Sequence, residues 1–125
     1  MENGGTPRLL IGCSHGAEDA LRVTSAYLAG IAGIEQGREV ALWLTSDGVR
    51  LATEGYVDGI RAAPGAPAVQ DLHDELTSRG GRLFVCRTSL DALMLGDEAL
   101  VPAADVARAE RVLEWAGRSA LTLSF

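Results

Sequence analysis

The apolar residues of this chain come in short uninterrupted runs, separated by longer stretches in which apolar positions recur with a helical period. Uninterrupted apolar runs of this length are typical of strands that are buried on both faces of a sheet. On this basis we predict five strands, at residues 8–13, 39–45, 82–86, 99–101 and 119–125.

Helices are predicted between these strands. A long helix at about residues 17–33 has apolar residues on more than one face, so more than one neighbour must cover it. The spacing of Val69, Leu72 and Leu76 predicts a second, amphipathic helix, which the glycine pair at residues 80–81 ends.

The remaining connections are shorter or less regular. Short helices are predicted at residues 49–54 and 89–95, and residues 55–68 are predicted to be a long loop, either functional or a simple connection. Asp105 is expected to cap the last helix. The inner side of that helix is expected to carry Val106, Ala109, Val112, Leu113 and Ala116.

This alternation of strand and helix predicts an α/β fold. We expect a three-layer α/β/α arrangement with a mainly parallel five-stranded sheet and helices on both faces. Residues 1–7 are expected to be a flexible N-terminus, and residues 8–125 to form a single domain.

Composition excludes several functions. All 11 basic residues are arginine, so lysine-dependent Schiff-base chemistry and phosphate-loop nucleotide hydrolysis are excluded. The net charge of −6 disfavours binding to nucleic acid or to an anionic membrane. The first residues do not resemble a signal peptide and no apolar run is long enough to span a membrane, so we expect a cytoplasmic protein.

Polar and thiol side chains follow three of the predicted strands. Because ligands of parallel α/β sheets bind outside the carboxyl ends of the strands, these exits are the candidate site. The residues concerned are Cys13, Ser14 and His15 after the first strand, Ser46, Asp47 and Gly48 after the second, and Cys86 and Arg87 at the third.

Cys86 is the stronger candidate nucleophile. A cysteine at a strand-to-helix junction next to an arginine, here Arg87, has the surroundings that lower a thiol pKa and favour the thiolate. The other interpretation is that Cys86 is a small buried hydrophobic residue. Cys13 is a second candidate thiol, and a resolving one if its Cα lies within about 4.4–6.8 Å of that of Cys86.

The other rim residues each allow two interpretations. Ser14 and Gly16 have the composition of an anion-binding turn, and His15 is either a base or a solvated loop histidine. Asp47 either positions a ligand or simply begins an Asp-Gly turn. The two cysteines and two histidines lack metal-ligand spacing, so we expect neither a metal nor a cofactor.

Several segments also occur, in the same order, in a known family. These are a Gly-Ala-Glu-Asp turn, a hydrophobic Asp-Gly-Val segment, a strand ending in cysteine, and a closing helix and strand, at residues 16–19, 44–49, 83–86, 112–116 and 120–125. Over residues 9–125 the chain thus resembles the DsrE family of small sulfur-relay proteins.

The resemblance implies a DsrE-like fold and homo-oligomers, whether dimer, trimer or hexamer. It implies that Cys86 receives sulfur as a persulfide from a donor protein and passes it to an acceptor protein, and that Asp47 and Gly48 line the site. Two positions depart from the pattern: Ser89 stands where many relatives have a second cysteine, and Cys13 is outside it.

Three functions therefore remain open. The first is sulfur relay, which makes the protein sulfurtransferase-like if Cys86 is reactive. The second is a non-catalytic assembly or regulatory subunit, which the extensive apolar surface of the first helix favours. The third is a small-ligand-binding domain at the carboxyl ends of the strands.

Overall fold

The protein is built on a single five-stranded parallel sheet. A computed structural model describes residues 6–125. The strands are β1 (Leu9–Cys13), β2 (Val40–Leu44), β3 (Arg82–Cys86), β4 (Ala104–Ala107) and β5 (Leu121–Ser124). They lie in the order β4-β3-β2-β1-β5, and every neighbouring pair is parallel. The predicted fold class is confirmed.

Helices cover the two faces unequally. The helices are α1 (Ala20–Glu35), α2 (Val69–Ser78), α3 (Arg87–Ala92) and α4 (Ala109–Ala116), with 3-10 turns at Ala17–Asp19, Ser46–Ala52 and Asp97–Ala99. The long helices α1 and α2 pack against each other, and α1 lies on β1 and β2. Helix α4 contributes to a smaller cluster of buried residues.

Two cores result from the alternation of side chains along each strand. In β1, Leu9 and Ile11 point into the larger core, whereas Leu10 contacts the smaller one. The smaller core is completed by aromatic residues, among them Phe84 and Trp115, whose rings meet edge to face at 5.9 Å. Successive side chains of a strand point to opposite faces of the sheet, so residues two apart belong to the same core.

Glycines let α1 approach the sheet and α2 closely. A Cβ on Gly30 would lie 2.9 Å from the Leu76 side chain, and one on Gly33 would lie 2.7 Å from Leu9. The covering of α1 is nevertheless incomplete, since Leu21 is 68% exposed and Leu28 is 46% exposed. The sheet and α2 are the two neighbours of this helix, and part of its apolar surface stays exposed.

The predicted fourth strand and last helix are wrong in position. Residues 99–101 form no strand: Ala99 ends a 3-10 turn, Leu100 makes an isolated antiparallel bridge with Thr53, and β4 begins after the proline that follows. Asp105 lies in β4, where it pairs with Arg111 at 2.7 Å instead of capping a helix.

The face of α4 also differs from the prediction. Val106 lies in β4, and Leu113 is 67% exposed, so only Val112 of the expected inner residues is fully buried. An alanine-rich segment with one aspartate has little preference for strand, and pairing with β3 decides its conformation.

The segment at residues 55–68 is anchored to the rest of the fold. Val57 is 6% exposed in the main core, and a bridge between Arg61 and Ala68 closes the loop. Of the predicted N-terminal segment 1–7, residues 1–5 lie outside the described residues. None of the helices within residues 6–125 is long and apolar enough to cross a membrane.

A buried polar pair links α1 to α2. The Tyr27 hydroxyl and His73 Nδ1 are 2.9 Å apart, and both side chains are buried. Burial lowers the pKa of His73, against the opposing effect of the Asp74 and Glu54 carboxylates, and burial raises the pKa of Tyr27. The lowered pKa favours the neutral imidazole, which forms a hydrogen bond with the tyrosine hydroxyl through Nδ1.

We expect His73 to make the protein less stable in mild acid. The unfolded histidine titrates near 6.5 and the folded one below that value, so the stabilisation is complete above pH 6.5 and is lost as the pH falls through this window. Urea unfolding at about pH 7.5 and pH 5.5 measures the loss. In His73→Gln, which keeps a neutral acceptor for Tyr27, the drop should be smaller; an equal drop would contradict this role.

Candidate functional site

The strand exits lie side by side at one edge of the sheet. Because all the strands are parallel, Cys13, Ser46 and Cys86 emerge at the same edge, in the order β1, β2, β3. β2 separates the two cysteine-bearing strands. With strands about 4.8 Å apart, the Cα atoms of Cys13 and Cys86 are about 10 Å apart.

Cys13 is a core residue. It is 1% exposed, and its thiol donates a long hydrogen bond of 3.6 Å to the carbonyl oxygen of His15. Burial raises the pKa of Cys13, with smaller contributions from the Glu18 and Asp19 carboxylates. Its protonated state and its distance from Cys86 both argue against the expected role of a resolving thiol.

Cys86 has a different environment at the end of β3. It occupies the N-cap position of α3 and is partly exposed. Its sulfur accepts no capping hydrogen bond from the first amide groups of the helix, so the junction with α3 supplies no such bond to a thiolate. Cys86 is therefore the more accessible of the two thiols.

Arg87 is engaged by acidic partners. Its guanidinium donates to both carboxylate oxygens of Asp97, at 2.8 and 3.0 Å, and to Asp91 at 2.9 Å. These bonds raise the pKa of Arg87, and the bond with Arg87 lowers the pKa of Asp97. Two carboxylates thus balance the charge that we expected to act on the Cys86 thiol.

The turn after β1 is filled by the protein's own side chains. The amide of Gly16 donates to Glu18 Oε1 at 2.8 Å, and the amide of Ala17 donates to the Tyr56 hydroxyl at 2.8 Å. His15 Nδ1 lies 2.8 Å from Glu18 Oε2, a contact that lowers the pKa of Glu18. The amides expected to bind an anion are already bonded, one of them to a carboxylate.

The turn after β2 contacts the helix that follows Cys86. Ser46 has a φ of 51° and donates its amide hydrogen to Ser89 Oγ at 2.8 Å. Asp47 pairs with Arg50 at 3.1 Å. A shallow cavity of about 280 Å³ lies here, lined by Ser46, Asp47, Thr88, Ser89, Ala92 and Leu93.

Gly48 allows the β2 turn to pass directly over the end of β1. A Cβ at this position would lie 2.1 Å from the carbonyl oxygen of Cys13. That same oxygen accepts a hydrogen bond from the amide of Thr45 at 3.2 Å. Close packing therefore requires glycine at position 48, independently of any role of Asp47.

Two residues with a part in this edge had no signal in the sequence. Tyr56 lies in the stretch predicted as loop, yet its hydroxyl holds the turn at Ala17 and lies over Gly16. Ser89 was noted only as a departure from the family pattern, and its hydroxyl fixes the strained Ser46. Both depend on contacts between segments about 40 residues apart, which local pattern does not reveal.

A second cavity, of about 300 Å³, lies beside the Tyr27–His73 pair. It is lined by His73 and by the carboxylate residues Glu54, Asp58 and Asp74. Within residues 6–125, no three histidine, cysteine, aspartate or glutamate residues are arranged as metal ligands. This acidic cavity is separate from the edge that carries Cys86.

Comparison with known proteins adds a family and a fold. The family model described as "DsrE/DsrF-like family" matches residues 8–125. No curated protein matches the chain. The structure is similar to the YchN protein of E. coli, with a TM-score of 0.77 and 16% identity, covering 96% of this chain and 100% of that one.

A second solved structure has the same fold. It is MTH1491 of Methanobacterium thermoautotrophicum, described as a protein of unknown function, with a TM-score of 0.64 and 16% identity. The match covers 94% of this chain and 99% of that one. At these identities the two structures establish the fold alone.

The close contact at Gly48 predicts a large effect of a small substitution. Gly48→Ala should destabilise the protein by about 2–4 kcal/mol, because the new methyl group meets backbone that has no room to move. Gly12→Ala is the matched control, since its Cβ would meet nothing nearer than 3.9 Å. Urea midpoints of the two variants test this, and equal midpoints would contradict it.

Proposed function

Because the chain belongs to the DsrE/DsrF-like family, we propose that it is a sulfur-relay protein that accepts and passes on sulfur as a persulfide of Cys86. The observation that carries this proposal is the position of Cys86. It is the partly exposed cysteine at the carboxyl end of β3, whereas Cys13 is buried.

The proposed chemistry is thiol exchange at the Cys86 sulfur. The Cys86 thiolate attacks the outer sulfur of a donor protein's persulfide; a new sulfur–sulfur bond forms, the donor's bond breaks, and the donor leaves as a thiolate. In the second step an acceptor thiolate attacks the outer sulfur on Cys86 and regenerates the Cys86 thiolate. The proton stays with the transferred sulfur, and no external oxidant or reductant is needed.

The surroundings of Cys86 favour transfer of the persulfide sulfur to a partner protein over transfer to another thiol of the same chain. Cys13 lies about two strand spacings away and is buried. The residue three positions after Cys86 is Ser89, whose hydroxyl accepts a hydrogen bond from the Ser46 amide. A hydroxyl group cannot accept sulfur from a persulfide as a thiol would. A persulfide on Cys86 therefore has no internal thiol within reach, and a second protein must remove the sulfur.

The proposal predicts a reversible gain of one sulfur mass on Cys86. Whole-protein mass spectrometry after brief exposure to a persulfide donor should detect the gain in wild type and in Cys13→Ser, and an added thiol should remove it. Cys86→Ser should show no gain. Loss of the gain in Cys13→Ser alone, or a wild type that takes up no sulfur and resists alkylation at Cys86 while folded, would overturn the proposal.

A second proposal concerns assembly, and it rests on the apolar surface between α1 and β5. Leu28 of α1 and both leucines of the edge strand, Leu121 and Leu123, are between 44% and 48% exposed. A groove of about 420 Å³ runs between the two elements. Because β5 has a neighbouring strand on one side only, the backbone N–H and C=O groups on its outer side are not paired with another strand of the sheet and are available to a partner.

We infer that the surface around this groove, formed by Ala29, Ala32, Leu121 and Leu123, joins copies of the chain into a homo-oligomer. Clustered exposed leucines at a groove are typical of an interface and atypical of an isolated small domain. The alternative function, a non-catalytic assembly or regulatory subunit, would use the same surface and would not need the Cys86 thiol.

The assembly proposal predicts that Leu123→Glu dissociates the oligomer. Burying an unpaired carboxylate in an apolar interface costs a large desolvation free energy, and this cost weakens association. Sedimentation at micromolar concentration should therefore show a smaller species than wild type. Leu113→Glu is the matched control, because Leu113 is an exposed leucine of α4, away from this surface. A monomeric wild type, or equal dissociation in both variants, would contradict the assignment.

A further inference from the structure

We propose that the amino-terminal end of the sheet holds a binding site for a small, doubly charged oxyanion such as phosphate. A cavity of about 260 Å³ lies at this end, opposite the edge that carries Cys86. Three arginines line it, Arg38, Arg79 and Arg82, together with Trp115 and one acidic residue, Glu39. This inference is independent of the sulfur chemistry proposed for Cys86.

The three arginines come from three different elements. Arg38 lies between α1 and β2 and is held by hydrogen bonds at 2.9 Å to the Pro7 carbonyl and to the Gln36 side chain. Arg79 is the C-cap of α2, and Arg82 is the first residue of β3. Parallel packing of the sheet and α2 thus brings to one cavity three arginine residues that come from different parts of the chain.

The positive charge of the cavity is only partly balanced. Arg8, beside the cavity, pairs with Glu39 at 3.4 Å, and Arg79 lies 3.0 Å from Glu75 and 3.9 Å from Glu35. Within the described part of the chain, Arg38 and Arg82 have no carboxylate partner. In a protein whose net charge is −6, such a concentration of arginine favours an anion from outside the chain.

Trp115 adds an aromatic ring to the same wall. Its ring packs under the Arg8 guanidinium, with 5.0 Å between the guanidinium carbon and the ring centroid. Its indole Nε1 is buried and has no hydrogen-bond acceptor among the described residues. This nitrogen has no accessible surface, so it is the ring of Trp115, and not its N–H group, that lines the cavity.

The size of the cavity limits the ligand. At about 260 Å³ it is smaller than the roughly 300–1,000 Å³ of sites for drug-sized molecules, so it fits a single oxyanion group. Guanidinium groups pair with phosphate oxygens through two parallel hydrogen bonds, and a tetrahedral dianion has enough oxygens to bond with more than one arginine at a time. The group is either free phosphate or the end group of a small phosphate monoester.

Tryptophan fluorescence tests the site, because Trp115 lines the cavity. Inorganic phosphate and methyl phosphate are titrated separately into the full chain, with acetate as the planar anion and chloride to keep ionic strength constant. We expect saturable changes with a Kd of about 1 mM or below for phosphate and none for acetate. A response to both phosphates indicates an end-group site, and a response to inorganic phosphate alone indicates a site for the free ion.

Variants separate a site from a general effect of charge. Arg82→Gln and Arg38→Gln should each weaken phosphate binding by about tenfold or more. Arg22→Gln is the matched control; Arg22 is exposed, pairs with Asp19 and lies near the other end of α1. No saturable response in wild type, or equal weakening by Arg82→Gln and Arg22→Gln in variants that keep the wild-type circular dichroism, would overturn the proposal.

Discussion

Parallel pairing of every strand is the constraint on which the rest of this structure depends. It places all strand exits at one edge and all strand entries at the other. The thiol of Cys86 therefore shares an edge with the polar turn at Ser46, while Arg82, at the other end of the same five-residue strand, belongs to a different surface. Two chemically distinct ends follow from one hydrogen-bonding pattern.

Close backbone contacts give the Cys86 edge its shape. The turn after β2 crosses the end of β1 because Gly48 has no side chain to keep it away from the Cys13 carbonyl. The same turn is tied to α3 by the hydrogen bond between Ser46 and Ser89. The amides of Gly16 and Ala17 are bonded within the protein, Asp47 is paired with Arg50, and Cys86 is the partly exposed thiol of this edge.

The uneven covering of the sheet explains the exposed apolar surface. The apolar residues of α1 lie on more than one face of the helix, so more than one neighbour is needed to cover them. The buried residues of α1 pack against the sheet and α2. Leu21 and Leu28 of α1 stay exposed, as do all four residues of the edge strand β5. The proposed homo-oligomer is the arrangement that would cover apolar surface of this kind.

The sequence by itself determined the class of fold and the approximate positions of four of the five strands, and it singled out Cys86 as the candidate thiol. Buried runs such as residues 82–86 are readable because a strand covered on both faces needs apolar residues at every position. Only the tertiary structure decided that Ala104–Ala107 is a strand, that Cys13 is out of reach of Cys86, and that arginines from three elements meet at one cavity. These features depend on pairing and packing between segments distant in sequence, and local residue preferences carry no information about such contacts.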